Sequence, residues 1–417
     1  MRSGRRRTRR SVQVSSSERA VGVLETTPVF RYRDALDLPR SESFDANPDL
    51  PLSVCVEGPG GQREFQRSTP EFLADPDNVG LFSSFAEDTI VYPPAFFVSA
   101  RNAVVVGART ILSGSGFFFN DDSIRGGAQQ REFINEFAAT YSLIEETGLE
   151  LVDKDGGFRL NIGSRKREQI EGTTVVLGSA EPSNYGSWIF RVVPKFQTLR
   201  WAAPKEQLRY LVWCEIPAFQ EYLEFLDVPE DRIIRLYPND CIYELERAVV
   251  PSMRNNQAFL DPESVALFAE IRDKLGKRQE QGTRIYISRV GQSQRGHPRA
   301  MLNESELVER LVKMGFQIVE PEALSVAEQI STFSSAEMVV GPSGSGMFNV
   351  VYCHPGTKVI DIESEPHWIH AHRCLLASCG LRYGIFVGAT LDQDFSLYHK
   401  PWRVNIDALV SRIEAWS

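Results

Sequence analysis

The pattern of apolar and polar positions changes character near residue 283. From there, short apolar runs alternate with amphipathic stretches at helical spacing. RIYIS (284–288) reads as a β-strand. After a polar loop, NESELVERLVKMG puts Leu307, Val308, Leu311 and Val312 on one helical face, with Asn303 and Glu306 spaced as an N-cap pair. FQIV (316–319) is the next strand, and Ser325 with Glu328 repeats the capping pair ahead of a helix carrying Val326, Ile330 and Phe333. EMVV, GMFNVVYC, KVIDI, IHAHRCLLASCG, RYGIFV and IDALVSRIEAW continue as strand, helix, strand, helix, strand and helix. Such alternation predicts a doubly wound parallel sheet with helices on both faces, a Rossmann-like domain.

Residues 45 to about 270 are patterned less regularly. FFVSARNAVVVGARTILSG predicts paired strands, and GFRLNIG and TTVVLGSA predict further ones. NYGSWIFRVVPKFQTLRW predicts a helix that ends near Pro194, and LRYLVWCEI with AFQEYLEFLDV predicts a strand and then a helix. The expected organisation is a basic, Ser-rich disordered tail over 1–44, an N-terminal α/β domain over 45–275 and a C-terminal Rossmann-like domain over 276–417. The join is expected at QEQG, near residue 280. No internal repeat is seen.

Composition narrows the function. The chain has 417 residues, 42% hydrophobic and 24% charged, which is ordinary for a globular protein of two domains. Six arginines among the first ten residues contribute +6 to a net charge of −9, so the rest carries −15. An acidic body argues against nucleic acid as a partner. The opening arginines lack the apolar run of an export signal, so a solvated tail is expected, with peripheral contact to anionic lipid as its functional alternative. The six cysteines are scattered without a CxxC and read as reduced thiols, in keeping with a cytoplasmic location.

The candidate chemistry lies in VVGPSGSGMFNVVYCHPGTKVIDI (339–362), where Ser343, Gly344, Ser345 and Gly346 join a strand to a helix. At the carboxyl edge of a parallel sheet, such a joint offers free N–H groups to a phosphate; close strand–helix packing is the alternative reason for its small residues. Arg289, directly after the first strand, and Arg295 reach the same edge and can clamp a diphosphate bidentately. The stretch lacks the Lys of a P-loop and the second Gly of a G-x-S-x-G elbow. Its glycine order differs from a dinucleotide fingerprint, although Asp361 and Glu363 downstream keep an NAD(P)-dependent oxidoreductase as an alternative. His367, His370, His372 and Cys374 do not converge as zinc ligands should, and the D-x-D spacings at 75–77, 153–155 and 392–394 read as turns, so no metal site is expected.

YISR (286–289), Arg295, Asn303-Glu304, PEALSVAEQI (321–330), GPSGSGMFN (341–349) and PGTKVIDIE (355–363), with the earlier NYGSW (184–188), together resemble glycosyltransferase family 61 over roughly residues 170–390. The resemblance implies a GT-B fold, two Rossmann-like domains facing a cleft, and an inverting, metal-independent glycosyltransferase of polysaccharide biosynthesis. It also implies a nucleotide-sugar donor, a glycan or other hydroxyl acceptor, and no cofactor. Arg289, Arg295 and the Ser343–Gly346 turn after Gly341 would hold the diphosphate, Glu363 the ribose, and Asn349 would brace the loop. Asn184, Tyr185, Ser187 and Trp188 would form the acceptor side. The family usually has His where Ser187 and Ser343 stand, and Asp where Arg191 stands. These departures leave either another carboxylate, such as Glu181 or Asp240, as base, or a silent branch that binds nucleotide-sugar or glycan without turnover.

Overall fold

The computed structural model describes residues 29–32, 40–41, 52–56, 63–74, 89–92, 95–114, 116–119, 149–151, 157–160, 164–179, 181–199, 207–256, 258–276, 282–291, 299–364, 366–390 and 400–416. It is a mixed α/β structure built on one large mixed sheet and one parallel sheet. Strands already occur at Val29–Tyr32 and Arg40–Ser41, inside the segment read as a tail. The basic residues 2–10, most of the QEQG join, Arg295 and all three D-x-D spacings lie outside the described residues.

In the large sheet the long strand Phe96–Val106 runs antiparallel to Cys241–Pro251, which pairs in parallel with Lys166–Val176. Leu208–Val212 and Ile233–Arg235 extend that parallel portion. Chain segments leaving the carboxyl ends of these strands approach the second sheet. One of them is the helix predicted to stop near Pro194: it ends at Val192, and a second short helix follows the proline. Tyr185–Ser187 leads into a π-turn over Trp188–Val192, with Val193 N bonded to Trp188 O, and α-helix resumes at Lys195–Leu199. Proline has no N–H to continue an α-helical ladder, and the widened turn carries the chain past it.

The second sheet has the strand order Gln317–Val319, Thr283–Ile287, Ala336–Pro342, Lys358–Glu363, Arg382–Val387 and Phe72–Ala74, all parallel. The first five of these strands follow the alternation read from the sequence, and the sixth, at one edge, comes from the earlier part of the chain. The Ser325–Glu328 capping box forms, with both reciprocal bonds present. The Asn303–Glu306 pair does not. Asn303 instead exchanges two hydrogen bonds with the main chain of Val404 and makes no side-chain cap bond. The stretch after the Gly/Ser joint, expected as a helix, is a 3-10 helix over Ser345–Tyr352.

The two sheets share one buried cluster. Val175, Tyr210 and Val249 of the first belong with Ile287, Val339 and Ile385 of the second, bridged by Trp188, Tyr222, Phe268 and Tyr352. Three tyrosine hydroxyls run along it, the partly buried Tyr185 to the buried Tyr222 at 2.9 Å and Tyr222 to the buried Tyr352 at 2.6 Å. Burial drives all three far above the ordinary phenol range, so they stay neutral and act only as hydrogen-bonding groups.

Candidate functional site

Thr283–Ile287 has its sequence successor Gln317–Val319 on one side and Ala336–Pro342 on the other. Strand order therefore reverses at this strand. Open parallel sheets bind ligands in a crevice at that position. Arg289 follows the first of these strands and Ser343–Gly346 follows the second.

The joint is built from small residues for two different reasons. Gly341 and Gly346 serve packing: a β-carbon on Gly341 would lie 2.7 Å from Ile287 Cβ, and one on Gly346 3.3 Å from Ile287 Cγ2. Gly344 is different. Its φ of 155° is rarely adopted by residues with side chains, and a β-carbon there would meet Arg299 Nη2 at 3.2 Å and Arg289 Nη1 at 3.3 Å. Both guanidinium groups donate to the carbonyl oxygen of Ser343, at 3.3 Å from Arg289 and 3.4 Å from Arg299. The joint thus brings two arginines against its own backbone.

Arg299 is the residue the sequence motifs missed. It closes the polar loop after the first strand and is fixed from behind by Trp402, whose indole donates to Arg299 O and whose N–H donates to Ala300 O. Burial and the charge of Arg299 push Arg289 down to about 10, against the opposing pull of Glu304, Glu322 and Glu363. Arg289 still carries its charge at neutral pH. Two like charges this close together favour an anion beside them.

Glu304 anchors this arrangement. Its buried carboxylate accepts from Arg289 N at 2.6 Å and from Tyr286 Oη at 3.2 Å. Behind the joint, His372 Nδ1 lies 3.0 Å from Ser343 Oγ and 3.1 Å from Asp361 Oδ2. Burial pulls the imidazole pKa down, but Asp361 and Glu363 outweigh it, leaving it above the ordinary histidine value. Ligand atoms of Asp361, Glu363 and His372 lie within 4.8 Å of one another, a spacing that can hold a cation. The chemistry fits charge compensation better: the imidazole Nδ1 is already engaged by Ser343 and Asp361. Asp361 turns to His372 rather than outward, so it is not presented to a ribose. Glu363 is also buried, with Oε1 accepting from Ser364 N. Cys374, grouped in the sequence with His372, faces Arg67 instead.

The facing wall comes from the first sheet. Asn184 Oδ1 accepts from Ser345 Oγ at 3.1 Å and caps the following helix through Ser187 N. Tyr185 Oη donates to Asn349 Oδ1, while Asn349 Nδ2 donates to Gly346 O and Gln329 Oε1. Asn349 therefore ties the joint to this wall. Trp188 is core, stacked on Phe219 at 4.3 Å between ring centroids. Ser187 is 1% exposed and gives its hydroxyl to Glu181. Of the two carboxylates considered as bases, Glu181 sits at this wall. Asp240 does not: it precedes Cys241, paired with Lys166 at the opposite end of an 11-residue strand, about 30 Å away at ~3.3 Å per residue.

A single stretch of chain, from Tyr185 through Arg289 to the Gly/Ser joint and the strand beyond it, contributes residues to both sides of the site. The family model described as Glycosyltransferase 61 matches residues 185–360. Over those residues the chain is similar to glycosyltransferase 61. The motif resemblance and the family model agree, and the matched segment includes Arg289, Arg299, Ser343–Gly346 and Asn349. Glu181, Asn184, Asp361, Glu363 and His372 lie just outside it. No curated protein matches the chain.

Proposed function

We propose that this protein is an inverting, metal-independent glycosyltransferase that moves a sugar from a nucleotide-sugar to a hydroxyl of a glycan or other acceptor, in polysaccharide biosynthesis. The observation that carries this reading is the pair Arg289 and Arg299 converging on the Ser343–Gly344 backbone at the switch point of a parallel sheet. In a GT-B arrangement the parallel sheet takes the donor and the mixed sheet takes the acceptor. The departing nucleoside diphosphate needs positive charge as the glycosidic bond breaks, and two preorganised guanidinium groups supply it without a divalent ion. Among the described residues no helix is long and apolar enough to cross a membrane. We place the protein in the cytoplasm, with the basic residues 2–10 available for peripheral contact with anionic lipid.

Titration of the full chain with UDP, GDP and the corresponding monophosphates tests the donor site. Binding that favours the diphosphate, followed by transfer from the matching nucleotide-sugar in the presence of a chelator, is the expected result. Loss of transfer on chelation with rescue by Mn²⁺ or Mg²⁺ would remove the metal-independent reading. A second reading, nucleotide-sugar binding without turnover, is favoured by one observation: Ser187, on the acceptor side, is buried and bonded within the protein. Diphosphate binding without transfer to any acceptor would select it.

A further inference from the structure

We infer that Glu181 is the general base that deprotonates the acceptor hydroxyl. The inference rests on the transferase reading above and goes beyond it by assigning the proton-transfer step to a residue.

Inverting transfer sets a geometric requirement. The attacking oxygen and the leaving phosphate oxygen lie on opposite sides of the anomeric carbon, so the base must come from the wall facing the arginines. Most acidic groups near the crevice fail this. Glu304, Asp361 and Glu363 are 2%, 0% and 1% exposed and lie behind the joint. Glu320 and Glu322 follow Gln317–Val319, on the arginine side. Glu181 is exposed and belongs to the opposite wall, three residues before the Asn184 that bonds Ser345.

Its placement is held. Glu181 has a φ of 52°, the left-handed region that non-glycine residues seldom occupy and that persists where the surroundings enforce it. Asn184 N donates to its carbonyl oxygen at 3.0 Å, and Ser187 Oγ donates to Oε2 at 3.2 Å. These bonds orient the carboxylate, and Oε1 has no hydrogen-bond partner among the described residues. Ser187 thereby acts as a positioning residue and Glu181 as the group that meets the acceptor. In the step, the acceptor O–H bond breaks and its proton passes to Glu181. The acceptor oxygen then bonds to the anomeric carbon, and the carbon–phosphate-oxygen bond breaks, its electron pair leaving with the nucleoside diphosphate.

The test uses the full chain, calorimetry with UDP and GDP, and transfer from UDP- and GDP-sugars to a set of methyl glycosides. Glu181→Gln should bind nucleoside diphosphate within about twofold of wild type while kcat for transfer falls at least ~100-fold, the contribution expected of a positioned base. Glu181→Asp should recover part of that loss. Ser187→Ala should lower kcat by less than Glu181→Gln and leave diphosphate affinity unchanged. Transfer by Glu181→Gln within about threefold of wild type overturns the assignment. So does wild-type protein that binds diphosphate yet transfers to no acceptor. Failure of the wild type to bind either diphosphate overturns the donor reading itself, which the transfer comparison between variants does not address.

Discussion

Ser345 Oγ donates to Asn184 Oδ1 across 161 positions of sequence. The same amide oxygen caps the helix that begins at Tyr185, so one side chain fixes both the start of that helix and the far end of the Gly/Ser joint. Asn184→Ala removes both bonds, and stability should fall by about 1 kcal/mol, the worth of a cap. Asn184→Asp keeps an acceptor for both donors but places negative charge at the phosphate edge. Its melting temperature should stay near that of wild type while diphosphate affinity drops. An Asp variant that binds as tightly as wild type would show that the phosphate lies elsewhere.

Removal of either arginine separates binding from stability. Arg289→Ala and Arg299→Ala should each weaken diphosphate binding by about 1.5–3 kcal/mol, the range for a hydrogen bond to a charged group. Burial, and then the like charge of Arg299, hold Arg289 down at about 10; each substitution removes one of the two crowded charges, so the ligand-free protein should lose little stability. Calorimetry for affinity and denaturant melts for stability, on the same preparations, check both halves.

The two glycines of GSG should respond differently. A side chain at Gly344 meets the arginine tips and must adopt a φ of 155°, so Gly344→Val should abolish diphosphate binding and also lower apo stability by about 1–3 kcal/mol through backbone strain. At Gly346 it meets Ile287 and Pro321, so Gly346→Val should destabilise the fold by about 1–3 kcal/mol through overpacking and leave the affinity of the folded protein largely intact. Diphosphate binding kept by Gly344→Val would mean that the phosphate does not approach this joint.

His372 predicts a pH dependence. Its folded pKa lies above the ordinary value of about 6.5 because Asp361 and Glu363 face it, with Arg299 opposing. A base raised on folding contributes its stabilisation fully below the unfolded pKa and loses it as pH rises through the folded value. Stability in denaturant should therefore decline above about pH 6.5, and His372→Gln should flatten that decline. An unchanged slope in the variant would assign the decline to another group.

Much of the parallel sheet was legible because each of its α-helices is amphipathic and each strand is a short apolar run. The Ser325–Glu328 box formed because nothing competes with it locally. Asn303 carries the same signal, but Val404, 101 positions later, takes its amide. Arg289 was legible from its place after a strand. Arg299 sits in a polar loop after His297 and Pro298, and only Trp402 from the end of the chain reveals why it points inward. The contact of His372 with Ser343 and Asp361 was likewise hidden, since a helix, a turn and a strand meet there without any sequence periodicity. Gly346 was read together with Gly344 as a phosphate contact, whereas its neighbours are apolar.

Phe72–Ala74 closes the edge of a sheet whose other strands all lie beyond residue 282. Phe72 fills a space that exists because residue 384 is glycine: a β-carbon there would lie 2.2 Å from the ring. Glu71 accepts both from Arg382, 311 positions away, and from Trp416. During synthesis, at about 5–20 residues per second, this strand emerges roughly 15–60 s before the neighbour it needs. Throughout that interval its apolar face has no home, and a fragment begun near residue 276 would never acquire it, leaving Gly384 beside an open, adhesive border.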